Sequence, residues 1–495
     1  MEVLEHASSR TDSTGHGPSQ DLTPSTAHFP QTPTIKKDAP SDIVHNNNEV
    51  DENAPSKEPA SAPSQQQDPP RQYSFWAPEI AKERKAYLTG IAQSTFLITL
   101  LIWGVLSIYW GSLWKATSKT GSLDGWIINR DGADGVIGNA TTSVLLQSKL
   151  NDEPMHLNWQ VINPSDYPTA ADIEQAIAVD EKAWIAVEVT QDVSARLFSA
   201  RANGDASWSP EGQVVMYVSE ARSNTVIPGY VVAPTQRRLQ TALSTLAAQL
   251  AGQYLTQVAG NATALQALAR APQTISNPVI PVEENLRPWS QPVATAPTFV
   301  GLIYLVIITL NVTLGNFNFR QGIQNKLKIR SLIAMRFLVP FIIYFVLAMM
   351  YTMLNLPFKL DFNGWHLGFG AGFMTFFVAT WCGMLVLGLT VECAVSLIGP
   401  QFIGFFLVLL IIANVSVVVF PIPLTPHFYR YGYALPFPHL RAIYTTIVFN
   451  TGRHILLLYH FGVLWAWLLV IALTFPIWIV LERKGLTLTT MKKKP

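Results

Sequence analysis

Long apolar stretches are unevenly spaced along this chain: one lies at 91–113, none between 114 and 298, and five are crowded between 299 and 481. A helix rises about 1.5 Å per residue, so about 20 mainly apolar residues cover the hydrocarbon core of a bilayer. Six stretches approach or reach that length, at 91–113, 299–317, 332–356, 367–389, 402–420 and 456–481. The third is the least regular, because Arg336 and Pro340 fall in its first turns. A buried soluble core does not produce so many uncharged windows of spanning length. The pattern predicts an α-helical polytopic membrane protein of six transmembrane helices, with a large extracytoplasmic domain inserted between helices 1 and 2.

Short loops rich in lysine and arginine stay in the cytoplasm, which sets the orientation. Lys82, Arg84 and Lys85 precede the first span; Arg320, Lys326, Lys328 and Arg330 lie between the second and third; Arg483, Lys484 and Lys492 to Lys494 follow the last. With six spans these regions share one side, so both termini are expected in the cytoplasm and the 114–297 domain outside or in a lumen. The Asn-x-Thr sequons at Asn139 and Asn261 fall in that domain and are the expected glycosylation sites. Asn311, in Asn-Val-Thr, and Asn414, in Asn-Val-Ser, are also sequons but lie within expected spans. The first apolar run begins far from the amino terminus, so it is read as a signal anchor. The plasma membrane is the expected location, with the endoplasmic reticulum membrane as the alternative; Lys492 to Lys494 fit a retrieval signal as well as a topogenic tail.

The formal net charge of +1 argues against a nucleic-acid partner. The two cysteines, Cys382 and Cys393, belong to the fourth span, so no disulfide is expected in the inserted domain. The chain has no GxxxxGK[ST] loop for ATP, no HExxH, no GxSxG and no paired CxxC. No enzyme, cofactor or metal site is therefore expected, and acids such as Asp131, Asp134, Asp172 and Asp192 read as a solvated surface.

Residues 1–78 form a cytoplasmic tail rich in Ser, Thr, Pro, Gln and Asn, expected to be disordered because it has little apolar surface to bury. Residues 88–113 are the first transmembrane helix, 114–297 the extracytoplasmic domain, 298–481 a five-helix membrane domain and 482–495 a basic cytoplasmic tail. The extracytoplasmic domain reads as α/β. Strands are predicted at 126–129, 184–189 and 214–218, with a helical run at 170–179. Leu239, Leu243, Leu246, Leu250 and Tyr254 recur at helical spacing in a long amphipathic helix over 236–258. The proline-rich stretch 278–297 reads as a semi-rigid spacer back to the membrane.

Inside the spans, Glu392 is expected to snorkel to the interface. Gly368, Gly370, Gly372, Gly383 and Gly388 make the fourth span small enough for close helix packing. The segment 420–454 is broken by prolines, including Pro436 and Pro438, and carries Arg430, His439, Arg441 and Arg453 on the side where positive charge is normally avoided. A re-entrant or interfacial helix over 434–449 and a plain loop are both open for it.

Gly125-Trp126, residues 156–168 with Trp159 and Asn163-Pro164-Ser165-Asp166, Tyr230-Val231-Val232 and the run 436–453 resemble the fungal nitrosoguanidine-resistance protein family. The resemblance covers about residues 85–485, and its motifs are diffuse rather than catalytic. The layout is also similar to the membrane subunit of type-2 ABC exporters. By that likeness the Arg320, Lys326, Lys328 and Arg330 loop would dock a separate ATPase or transporter subunit, and 434–449 would be the re-entrant outer helix. The resemblance implies a role in resistance to toxic or mutagenic compounds through export or related transport. A non-transporting factor that regulates lipid asymmetry or transporter trafficking is the alternative. The lipid bilayer is the certain partner of such a chain, and a homo-oligomer is compatible with it.

Overall fold

The computed structural model describes residues 72–364 and 368–485. Most of the 1–78 tail and the terminal lysines lie outside the described residues. The first helix, α1 (Pro78–Leu113), has no buried residue in its most apolar window, so it stands against the rest of the protein only at its far end. There follow β1 (Asp124–Asn129), α2 (Val136–Leu150), β2 (Asn158–Ile162), β3 (Ile185–Val189), α3 (Val193–Asn203), β4 (Val214–Val218), α4 (Ala233–Val258) and β5 (Pro281–Asn285). The chain then enters the helix bundle through α5 (Pro292–Arg320), α6 (Ile329–Leu354), α7 (Phe369–Ile398), α8 (Ile403–Val415), α9 (Pro436–Phe449) and α10 (His454–Arg483).

The five strands form one sheet in the order β2-β1-β3-β4-β5, parallel except for the β3–β4 pair. Side chains alternate across a strand. Ile127 of β1 therefore packs with Ile137, Leu145, Leu239 and Leu243 on the face covered by α2 and α4, while Trp126 and Ile128 pack with Ile173 and Ile177 on the other. The strand β3 is covered on both faces, which suits its apolar run; its one acid, Glu188, is held by Arg130 at 2.6 Å and Tyr217 at 3.0 Å. Sheets of this order hold ligands at the carboxyl ends of adjacent parallel strands. Here Asp131 fills that crevice. Its carboxylate accepts from the backbone of Gly138 at 2.9 Å and of Ser194 at 2.7 Å, and from the Ser194 hydroxyl, tying the first turns of α2 and α3 together. Asp131 is thus a buried structural acid rather than a surface one.

Two strands escape sequence reading. The β2 strand carries polar residues on a half-exposed edge, and β5 lies within the proline-rich 278–297 stretch, which is a sheet edge rather than only a spacer.

In the bundle, α7 is the central post, with most of its length buried against α5, α6, α9 and α10. Its glycines explain the closeness. A Cβ on Gly372 would meet the Phe362 carbonyl at 2.1 Å, one on Gly383 would meet Leu440 at 2.8 Å, and one on Gly388 would meet the Tyr344 hydroxyl at 2.2 Å. Gly370 faces open space, and Gly368 serves instead as a turn residue at φ +84°. Among the described residues, five helices are long and apolar enough to cross a membrane. The sixth expected span, 402–420, is not one continuous helix: α8 has 13 residues, or about 20 Å of rise, and ends in turns at 416–420.

Candidate functional site

Where α8 stops, the chain forms a turn, a short helical stretch (His427–Ala434) and then α9, which is almost wholly buried. A helix starting inside a membrane domain must account for its first four N–H groups. The sequence does so. Leu435 N–H bonds the Gly432 carbonyl at 3.2 Å, Pro436 and Pro438 have no N–H, and Phe437 N–H bonds the Asn414 side chain of α8 at 3.3 Å. The prolines that break this segment in sequence are thus what allows a helix to begin there. From that point α9 packs on α7, with Leu440 against Gly383 and the Tyr444 ring stacked on Phe376 at 4.1 Å between centroids.

The carboxyl end of α9 is held by the α/β domain. Arg287 bonds the Asn450 carbonyl at 3.3 Å and Glu174 at 2.8 Å, Gly452 N–H bonds the Ala178 carbonyl at 3.1 Å, and Arg453 pairs with Asp180 at 2.7 Å. The Arg453 guanidinium is the main reason the Asp180 carboxyl lies below its ordinary range. Arg453 at this end of the bundle therefore answers an acid of the α/β domain.

Between this clamp and the start of α9 lies a cavity of about 360 Å³. Its walls include Glu181, Trp184, Arg222 and Ser223 from the α/β domain, residues 417–418 and 420–423 after α8, and His439, Arg441, Tyr459 and His460 from α9 and α10. Arg222 lies over the Trp184 ring at 3.8 Å and 3.5 Å from Glu181; burial pushes its guanidinium below its usual value while Glu181 opposes the shift. His439 Nε2 faces the Tyr433 carbonyl at 2.9 Å and so donates to it; in the neutral pair its Nδ1 then accepts from His460 Nδ1 at 2.8 Å. Arg441 donates to the Val418 carbonyl and, at 3.4 Å, to Asn224.

A second polar centre sits at the opposite end of the bundle. Glu392 of α7 accepts from Arg336 of α6 at 2.7 Å and from Arg320 of α5, and Arg336 also reaches Ser396 and, at 2.8 Å, Glu482 of α10. Glu392 does not snorkel: both arginines hold it, and its side chain is 2% exposed. Four helices are joined there, beside an open cleft that includes Gln321, Gln324, Asn325 and Gln401.

Of the residues singled out in sequence, Pro436, Pro438, His439 and Arg441 all lie on α9, at or beside the cavity. Lys326 and Lys328 are exposed in the α5–α6 connection and Arg330 is exposed in the first turn of α6, whereas Arg320 is buried in the Glu392 cluster and is not offered to a partner. Asn139 and Asn261 are both exposed. Sequence reading passed over Glu181, Arg222 and His460. The last was hidden inside a span, although a histidine within an apolar helix is itself a signal of a partner nearby.

Long apolar helices packed around α7, with a mixed sheet domain at one end, define a polytopic helical membrane protein. Residues 94–473 match the family described as protein of unknown function (DUF3533), and the chain belongs to that family. It is 23% identical over 415 residues to the Saccharomyces cerevisiae protein named uncharacterized endoplasmic reticulum membrane protein YJR015W, covering 78% of each chain. Neither description mentions resistance or transport. No solved structure matches the chain.

Proposed function

We propose that the protein contributes to resistance to toxic or mutagenic compounds by export or a related transport action in the membrane, with no ATPase of its own and no catalysed reaction. The observation that carries this reading is the cavity between the α/β domain and α9, which joins apolar walls to a few convergent polar groups, as small-molecule sites do. In this reading α8 and its following turns make a sixth crossing, the α/β domain lies outside the cytoplasm and both termini lie within it. Lys326, Lys328 and Arg330 would then be the surface for a separate ATPase or transporter subunit. The name of the yeast relative favours the endoplasmic reticulum membrane over the plasma membrane.

A second reading, regulation of lipid distribution, is favoured by α1, whose apolar length is left to lipid. Accumulation of a labelled toxic compound in cells with and without the gene, in parallel with a probe for exposed aminophospholipid, separates the two. Lower accumulation with unchanged lipid exposure supports transport; altered lipid exposure with accumulation following it supports regulation. Equal accumulation and equal lipid exposure overturn both. Glycosidase-sensitive mobility that disappears in Asn139→Gln and Asn261→Gln would support the outer placement of the α/β domain.

A further inference from the structure

We propose that the cavity binds a phosphate group, with Arg441 as its charge partner; this deepens the transport reading by naming a chemical class for its site. Of the two arginines on the cavity wall, Arg222 has Glu181 at 3.5 Å. Arg441 has no carboxylate partner among the described residues, and the acceptors it does have, the Val418 carbonyl and the Asn224 amide, are neutral. A guanidinium carries five N–H donors in a planar fork that matches phosphate, and a cation held only by neutral dipoles away from water is costly until an anion joins it.

A second observation points the same way. Ser223 also borders the cavity; it is 1% exposed and its hydroxyl has no hydrogen-bond partner. Buried hydroxyls are nearly always paired, so this one, sealed just behind the cavity wall, is a donor free to turn toward an acceptor. The Arg441 guanidinium, which no carboxylate compensates, and the Ser223 hydroxyl are donors that suit the oxygens of a phosphate, while Arg222 on the same wall is shared with Glu181. The volume of about 360 Å³ takes a headgroup rather than a whole lipid. Tyr433 and Tyr459, each about half exposed, line the same cavity and are the residue type that sits at the level of lipid headgroups. A phosphate carried on an acyl-chain lipid and free phosphate share this chemistry, and the test separates them.

The experiment uses the full chain in neutral-lipid nanodiscs, with ligand-dependent shift of the unfolding temperature as readout. The probes are short-chain phosphatidic acid, the matched diacylglycerol and inorganic phosphate. Stabilisation by phosphatidic acid and not by diacylglycerol supports the site with lipid as its source; equal stabilisation by inorganic phosphate supports it with the free anion as source. Absence of any shift with both phosphates overturns it. Arg441→Gln should weaken binding about 10- to 100-fold, and Arg441→Lys should restore part of it. Should the Gln variant fail to fold, Ser223→Ala with Arg441→Lys provides the comparison. Undiminished binding in Arg441→Gln, or in that pair of changes, overturns the assignment. Absence of phosphate binding in a protein that still confers resistance would sink this assignment alone, whereas resistance unaffected by deleting the gene would sink the transport reading alone.

Discussion

Arg336 Nη2 and Glu392 Oε1 meet at 2.7 Å between two helices that are otherwise apolar, both side chains nearly sealed from the surface. Arg320 shares the same carboxylate. Removing the acid leaves the buried Arg320 guanidinium without a counter-charge and Arg336 with Glu482 alone, and breaking a buried pair costs about 3–5 kcal/mol. Glu392→Ala is expected to lower the unfolding temperature of the purified protein sharply. The double change Arg336→Met with Glu392→Leu should cost less than Glu392→Ala, because it fills the space with apolar side chains and the acid it releases, Glu482, is partly exposed to water. Equal stability of Glu392→Ala and parent would refute the pairing.

His439 and His460 are held Nδ1 to Nδ1 with the outer nitrogen of His439 on the Tyr433 carbonyl. Replacing His439 with Leu strands two polar groups, so it should destabilise by about 1–3 kcal/mol. Thermal unfolding of the single and double variants checks this. His460→Leu in the His439→Leu background should add little, since the pair is already broken.

Arg453 keeps the Asp180 carboxyl ionised below its ordinary range. A group whose folded value is depressed contributes stability that is complete above its unfolded value, about 4, and is lost as pH falls through the folded value. The clamp is thus at full strength at neutral pH and weakens only in acid. Arg453→Gln is expected to move that acid loss to higher pH, read as unfolding temperature against pH. An identical profile in the variant would count against the clamp.

Gly372 and Gly370 are neighbours on α7 with opposite surroundings. A methyl group at Gly372 would press on the Phe362 carbonyl at 2.1 Å, while one at Gly370 meets nothing within 4 Å. Gly372→Ala should reduce the yield of folded protein and lower its unfolding temperature; Gly370→Ala should be neutral or slightly stabilising, since alanine is the better helix former. Similar behaviour of the two would mean that the α7–Phe362 contact does not exist.

Much of the architecture is legible along the chain because it rests on local pattern. Runs of apolar residues announce the long helices of the bundle, and the leucine spacing at Leu239 and Leu243 announces the face of α4 that the sheet covers. The strands β1, β3 and β4 are apolar enough to be read. The edge strands β2 and β5 are not, because a strand with one partner needs no apolar run and takes its identity from the neighbour it bonds. For the same reason α8 reads as a full span: hydropathy registers apolar residues and is blind to where the backbone turns.

The site divides along the same line. The prolines and basic residues around Pro436, His439 and Arg441 are visible as an anomaly in sequence, and their chemistry is fixed by residue type alone. What each one meets is decided only in three dimensions. Asp180 and Arg453 are far apart in the chain, as are Glu181 and Arg222 from Arg441, and Arg320 from Glu392. Sequence by itself determined which segments avoid water, because that preference belongs to each side chain. The tertiary structure alone decided which charges are neutralised and which, like Arg441, meet no carboxylate among the described residues, because Coulomb energy depends on distance between groups the chain does not place side by side.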